Sequence, residues 1–312
     1  MKLKKVMYLA GLPRSGSTIL SNLLGSHPEI RSTPSSPLCS IVRSMRKAWS
    51  DDVFLKSQLD RDSALILERL KRTAMATINA WSDEGDKDIV LDKNRGWLMN
   101  AEWLKSVDPN FKMIVTIRDL RRVFASIENQ HRKTILLDFA DSLEANIVDV
   151  RAAALFADSG ILGSNIKAIY NIGDVPNLTD NLFIWRFEDF LQNPQPSMDK
   201  VFNFMGVDSV KIDFNNLQQV THEADSYYNM KYLHKIFKEF RVPDAPLISP
   251  RILDMIVDKF KWFYDAYYPE CVTKPSTFNP HIINNTESNS NLSEDDSEMI
   301  KDLEAAIKYE AM

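Results

Sequence analysis

The chain has 312 residues, 44% hydrophobic and 26% charged, which excludes a wholly disordered or fibrous protein and allows a sizeable core. Its two cysteines, Cys39 and Cys271, exclude a disulfide scaffold and a four-thiolate zinc site. A formal net charge of -5 speaks at first sight against an anionic ligand, but residues 281–312 carry eight acids against two lysines, leaving residues 1–280 at +1 and the first 50 residues at +7.

Strands and helices alternate along the chain. A short apolar strand is predicted at about 5–10, then a helix from Ser17 or Thr18 through Leu20, Leu23 and Leu24 to the His27-Pro28 stop. Residues 32–37 read as a loop, and helical periodicity returns over 38–49 and 62–81. A second strand covers Asp88–Leu91, with a helix around 97–106. Met113-Ile114-Val115-Thr116-Ile117 has the β-branched density of a buried parallel strand and leads into a helix over 120–131. Helices are predicted over 135–158 and 162–171, a fourth strand over Asn181–Trp185, and helices over 195–205 and 250–266. This order predicts a three-layer α/β architecture, one parallel sheet flanked by helices. Residues 1–280 read as a single domain with helical insertions at about 36–81 and 208–270. Residues 281–312 read as an acidic, partly flexible tail with a short helix over 297–309. The apolar run after Lys4-Lys5 is short and lacks a cleavage site, and no stretch reaches 18 apolar residues, so a soluble cytoplasmic chain without a membrane span is expected.

The octapeptide Gly11-Leu12-Pro13-Arg14-Ser15-Gly16-Ser17-Thr18 joins the first strand to the first helix and uses two of the nine glycines. It follows the spacing G-x-x-x-x-G-K-[S/T], except that Ser17 stands in place of the lysine. Backbone amides at the helix start still form a nest for phosphate oxygens, and Arg14 supplies a cation at another point of the loop. A triphosphate enzyme needs that lysine and a magnesium ion to offset charge at the γ-phosphoryl group. A donor that is less charged at the transferred group does not.

With Pro13-Arg14-Ser15-Gly16-Ser17-Thr18 behind a first strand, the chain resembles the sulfotransferases that use 3′-phosphoadenosine 5′-phosphosulfate, in their P-loop-like fold. The arginine variant is that of the tyrosylprotein-sulfotransferase-like and bacterial branches. Two further segments are similar. Ile114–Ser126 places Arg118 at a strand end and Ser126 eight residues later, the pair that the resemblance assigns to the 3′-phosphate. Phe183–Leu191 followed by Val201–Val207 matches a strand, turn and helix. There the resemblance puts Phe187, in place of a tyrosine, against adenine. It also makes Lys93 the residue that stabilises the transition state together with Arg14.

The resemblance implies a phosphosulfate co-substrate bound by Pro13, Arg14, Ser15, Gly16, Ser17, Thr18, Arg118, Ser126 and Phe187, with no metal. The acceptor would be a hydroxyl on a small molecule, a sugar or a peptide tyrosine; no nucleic acid partner is expected. Neither base familiar from relatives is present: Asn94 and Arg95 follow Lys93, and Thr33-Pro34-Ser35-Ser36 carries no carboxylate. Asp92 is the nearest carboxylate in sequence, although neighbouring strand residues point to opposite faces. His131 and His222 are the other candidates. The competing readings are a P-loop small-molecule or nucleoside kinase and a non-catalytic nucleotide-binding relative.

Overall fold

The apolar run behind Lys5 forms the central strand of a parallel sheet, because both its faces must be covered. In the computed structural model, residues 4–133, 147–223, 236–240 and 247–272 are described. They contain β1 (Lys5–Gly11), β2 (Ile30–Thr33), β3 (Ile89–Lys93), β4 (Met113–Ile117) and β5 (Leu182–Arg186), in the order β2-β3-β1-β4-β5. All pairings are parallel, and the register sets Leu9 beside Lys93, Gly11 beside Thr116 and Ile117 beside Arg186. The carboxyl ends of β1, β3 and β4 therefore open together. The chain crosses from one side of β1 to the other between β3 and β4, which is where open α/β sheets place ligands.

Alternate residues of the strands fill two cores. Met7, Leu9, Leu91 and Ile114 meet α1 (Ser17–Gly25) together with Phe187, Phe190, Val201 and Phe202. Tyr8, Ala10, Val115 and Ile117 meet Trp97, Leu104, Phe124, Ile166 and Phe263 on the opposite face. The expected three layers are thus present. Leu20, Leu23 and Leu24 of α1 are fully buried, contributing roughly 1.5–3 kcal/mol each. That outweighs the loss, roughly a few tenths of a kcal/mol, from having glycine at the cap in place of a hydrogen-bonding side chain.

Several elements depart from the sequence reading. The Ser/Thr-rich stretch expected as a loop begins with β2, an edge strand held by its pairing to β3, which local propensity does not reveal. The first helical insertion holds α2 (Leu38–Asp51), α3 (Val53–Arg61) and α4 (Ser63–Ser82); Asp52 and Asp62 start the latter two by accepting from Leu55 N at 2.7 Å and Leu65 N at 3.1 Å. A 3₁₀ turn, Arg95–Asn100, precedes α5 (Ala101–Val107). After α6 (Leu120–Lys133) the next described helices are α7 (Val148–Phe156) and α8 (Ile161–Ile172); residues 135–146 of the helix expected over 135–158 lie outside the described residues. Next come α9 (Phe187–Gln192) and α10 (Pro194–Met205). Residues 208–223, assigned to a helical insertion by sequence, are irregular instead. They are tied to α1 through Asn22, which donates to Gln218 O at 2.8 Å and accepts from Val220 N at 2.8 Å. The expected helix over 250–266 is divided at Phe260 into α11 (Pro250–Lys259) and α12 (Lys261–Tyr267), followed by α13 (Pro269–Val272). The acidic tail and its expected helix lie outside the described residues. Among the described residues, no helix is long and apolar enough to cross a membrane.

Candidate active site

The loop leaving β1 is shaped by backbone that cannot accept ordinary side chains. Gly11 has φ 134°, and a Cβ there would stand 2.6 Å from Thr116 N, inside the neighbouring strand. Ser15 is buried; its hydroxyl donates to Leu12 O at 2.5 Å and is 2.7 Å from Thr116 Oγ1. On either side of it, Arg14 (φ 60°) and Gly16 (φ 87°) occupy the left-handed region. A Cβ on Gly16 would lie 2.7 Å from Phe187 Cε2, so the loop rests directly on that ring. Pro13 is buried and has no N–H to offer. The chain then enters α1 with no capping side chain and no acid in its first turn, leaving the positive end of the helix for an anion.

Cations converge on this end. Arg14 Nε donates to Ser126 Oγ of α6 at 3.1 Å, and Arg118, just past β4, donates from its terminal nitrogen to Arg14 O at 3.1 Å. The Arg118 guanidinium lies 4.8 Å from the centre of the Phe187 ring. Its Nε is buried without a hydrogen-bond partner, a costly arrangement that an anion would relieve. Burial lowers the Arg14 guanidinium and pushes Arg118 down to about 10, which leaves Arg118 charged near neutrality.

Two carboxylates whose charge acts on Arg118 are themselves held in place. Asp119 accepts from Arg121 N at 3.0 Å, pairs with the Arg121 guanidinium at 2.8 Å and takes the Tyr264 hydroxyl at 2.8 Å. Glu188 accepts from Asp119 N at 3.3 Å and from the Tyr268 hydroxyl at 2.8 Å. Burial raises the Glu188 carboxyl above the usual range. The Arg-Asp and Phe-Glu-Asp segments, separate in sequence, thereby become one scaffold.

Strand β3 contributes two neighbours with different fates. Lys93 lies on the α1 side, 3.3 Å from Thr18 Oγ1, and forms an ion pair with Glu223. Asp92 lies on the other face, 1% exposed, accepting from Trp97 Nε1 at 2.6 Å; burial raises its carboxyl. The pleat thus separates Asp92 from Lys93, and Asp92 is spent on core hydrogen bonds. His131 is buried on α6 and His222 is exposed. The residue missed by sequence reasoning is Glu223: its Oε1 accepts from Thr18 Oγ1 at 3.0 Å and its Oε2 from Ser35 Oγ at 3.1 Å. Nothing in the local pattern Thr221-His222-Glu223-Ala224 marks it.

The structure therefore brings together Arg14, Ser15, Gly16, Ser17, Thr18, Lys93, Arg118, Ser126 and Phe187, and sets Asp92 apart. Phe187 is 6% exposed, with Arg118 over its face and Gly16 against it. In the first helical insertion Phe54 and Trp81 are exposed, at 76% and 49%. No group of three or more metal-ligating side chains is found among the described residues.

A parallel sheet flanked by helices, with an uncapped helix start and arginines at its carboxyl edge, defines a three-layer α/β protein with a P-loop-like fold. The chain belongs to the sulfotransferase family, whose family model matches residues 7–211. Protein-tyrosine sulfotransferase 2 of Gallus gallus is 27% identical over 118 residues, 37% of this chain and 32% of that protein. Nodulation protein NoeE of Sinorhizobium fredii is 24% identical over 243 residues, 74% of this chain and 57% of that protein. The chain thus spans about a third to somewhat over half the length of these relatives. Among solved structures, a sulfotransferase from Mycobacterium avium shares 14% identity, covering 86% of this chain and 78% of that one with a TM-score of 0.46. Retinol dehydratase in complex with retinol and PAP shares 14% identity, covering 90% of this chain and 85% of that one with a TM-score of 0.39.

Proposed function

We infer that the chain transfers a sulfuryl group from 3′-phosphoadenosine 5′-phosphosulfate to a hydroxyl acceptor, releasing adenosine 3′,5′-bisphosphate. The observation that carries this is the joining of two anion-binding segments: Arg14 of the β1–α1 loop is hydrogen-bonded to Ser126, and Arg118 to the Arg14 carbonyl. A co-substrate with one anionic group at the 5′ position and another at the 3′ position matches two such segments in contact. The amides from Ser15 to Thr18 and Arg14 would hold the 5′-phosphosulfate, with Arg118 and Ser126 at the 3′-phosphate. Lys93, beside Thr18, offsets charge that develops as the sulfur–oxygen bond breaks. Phe187 backs Gly16 and Arg118, and so sets the floor of the site.

The test is calorimetric titration with adenosine 3′,5′-bisphosphate. Binding is expected, with Arg118→Ala weakening it by about 10-fold or more, the usual worth of a charge-assisted hydrogen bond. Absence of binding, or an affinity unmoved by Arg118→Ala, overturns the reading. Magnesium-dependent ATP binding with phosphoryl transfer would place the chain among kinases instead.

A further inference from the structure

An acceptor hydroxyl must lose its proton as its oxygen attacks sulfur, and a proton acceptor has to stand within hydrogen-bond reach of it. Three other buried carboxylates near the sheet edge are held by groups outside the β1–α1 loop. Asp92 lies across the sheet beneath Trp97, Asp119 is held by Arg121 and Tyr264, and Glu188 is held by Tyr268. We propose that Glu223 is the proton acceptor, an assignment that rests on the sulfuryl-transfer reading above.

Both oxygens of Glu223 are fixed by groups from three separate segments. Oε1 meets the Thr18 hydroxyl of α1 and the Lys93 ammonium of β3, while Oε2 takes the Ser35 hydroxyl from the loop after β2. The Glu223 side chain is 12% exposed, largely enclosed by these neighbours with a small accessible surface left. Thr18 ends the anion-binding loop and Lys93 is the cation assigned to the developing charge. The carboxylate therefore stands one hydrogen bond from both parts of the donor site. Lys93 is shared: its charge faces Glu223 in the free protein and is available to the leaving phosphate during transfer. A shift of Lys93 toward that phosphate leaves the carboxylate less neutralised at the moment the proton is released.

The step balances without an oxidant or reductant. A lone pair of the hydroxyl oxygen forms the new O–S bond, and the bridging S–O bond to the 5′-phosphate breaks. Its electron pair stays on the phosphate oxygen, and the hydroxyl proton passes to a Glu223 oxygen. The products are a sulfate monoester, adenosine 3′,5′-bisphosphate and protonated Glu223, which returns its proton to solvent.

The test uses the full chain and its Glu223→Gln variant, which keeps the shape and neutral hydrogen bonding of the side chain. Conversion of 3′-phosphoadenosine 5′-phosphosulfate to the bisphosphate is followed by chromatography, with water, a phenol, a tyrosine peptide and a sugar as acceptors. Calorimetry with the bisphosphate is run in parallel. The expected result is a fall in kcat of about 10²–10⁴-fold with KM for the phosphosulfate and the bisphosphate Kd held within about threefold. A variant that retains kcat within about threefold, or that loses bisphosphate affinity in proportion to turnover, overturns the assignment. Failure of the parent protein to bind the bisphosphate would instead refute the sulfuryl-transfer reading itself, so the two failures are separable.

Discussion

Replacing Gly16 by alanine perturbs the site at a single methyl group. The added carbon would stand 2.7 Å from Phe187 Cε2, against an ordinary carbon–carbon contact of about 3.5–4.0 Å. Phe187 cannot retreat freely, because Arg118 lies 4.8 Å above its ring and Trp185 and Phe190 pack at 6.0 and 6.4 Å. Overpacking of this kind costs about 1–3 kcal/mol, and holding alanine at the φ of 87° adds about 1–2 kcal/mol. Gly16→Ala should therefore destabilise the protein by roughly 2–5 kcal/mol, read from urea unfolding. In a Phe187→Ala background the collision with the ring disappears, leaving the 3.2 Å approach to Trp185 Cζ3, and the same change should cost about 1–3 kcal/mol less than in the parent. A Gly16→Ala cost below about 1 kcal/mol, or one equal in both backgrounds, would refute the argument that the loop is seated on this ring.

Other consequences are equally open to measurement. Ser126→Ala removes the 3.1 Å acceptor of Arg14 and should weaken bisphosphate binding about 5–20-fold in calorimetry, with unfolding shifted by less than about 1 kcal/mol. Lys93→Met should lower single-turnover conversion of the phosphosulfate by about 10²–10³-fold, the usual loss when a group stabilising transition-state charge is deleted. Tyr264→Phe removes one of the hydrogen bonds to buried Asp119 and should cost about 1–2 kcal/mol of stability by denaturant titration. Burial holds the Asp92 carboxyl above its unfolded value of about 3.9, so the folded state favours the protonated acid. Its contribution to stability is present at low pH and is lost as pH rises from that unfolded value through the folded one. The stability of the parent relative to Asp92→Asn should accordingly fall as pH rises above about 4, and a difference that does not vary with pH would refute the burial argument.

What was legible along the chain was local. The apolar strand, two glycines at fixed spacing and a following apolar helix predict the β1–α1 turn, because each depends on neighbouring residues only. Arg118 and Ser126 are singled out by the family resemblance alone; the structure links them through Arg14, which donates to Ser126 Oγ and whose carbonyl accepts from Arg118. The alternation of a pleated strand also foretold that Asp92 and Lys93 would face opposite ways. What only the tertiary structure decided was which distant groups meet. Thr18 and Glu223 are 205 positions apart and Lys93 and Glu223 are 130 apart, joined by an irregular segment that leans on Asn22. Residues 30–33 became an edge strand because β3 offered a parallel partner, and the buried, unpartnered Nε of Arg118 exists only once Phe187 and the loop close around it. Hydrogen bonds and burial act over a few ångströms of space, and sequence periodicity reports only the spacing that the chain itself imposes.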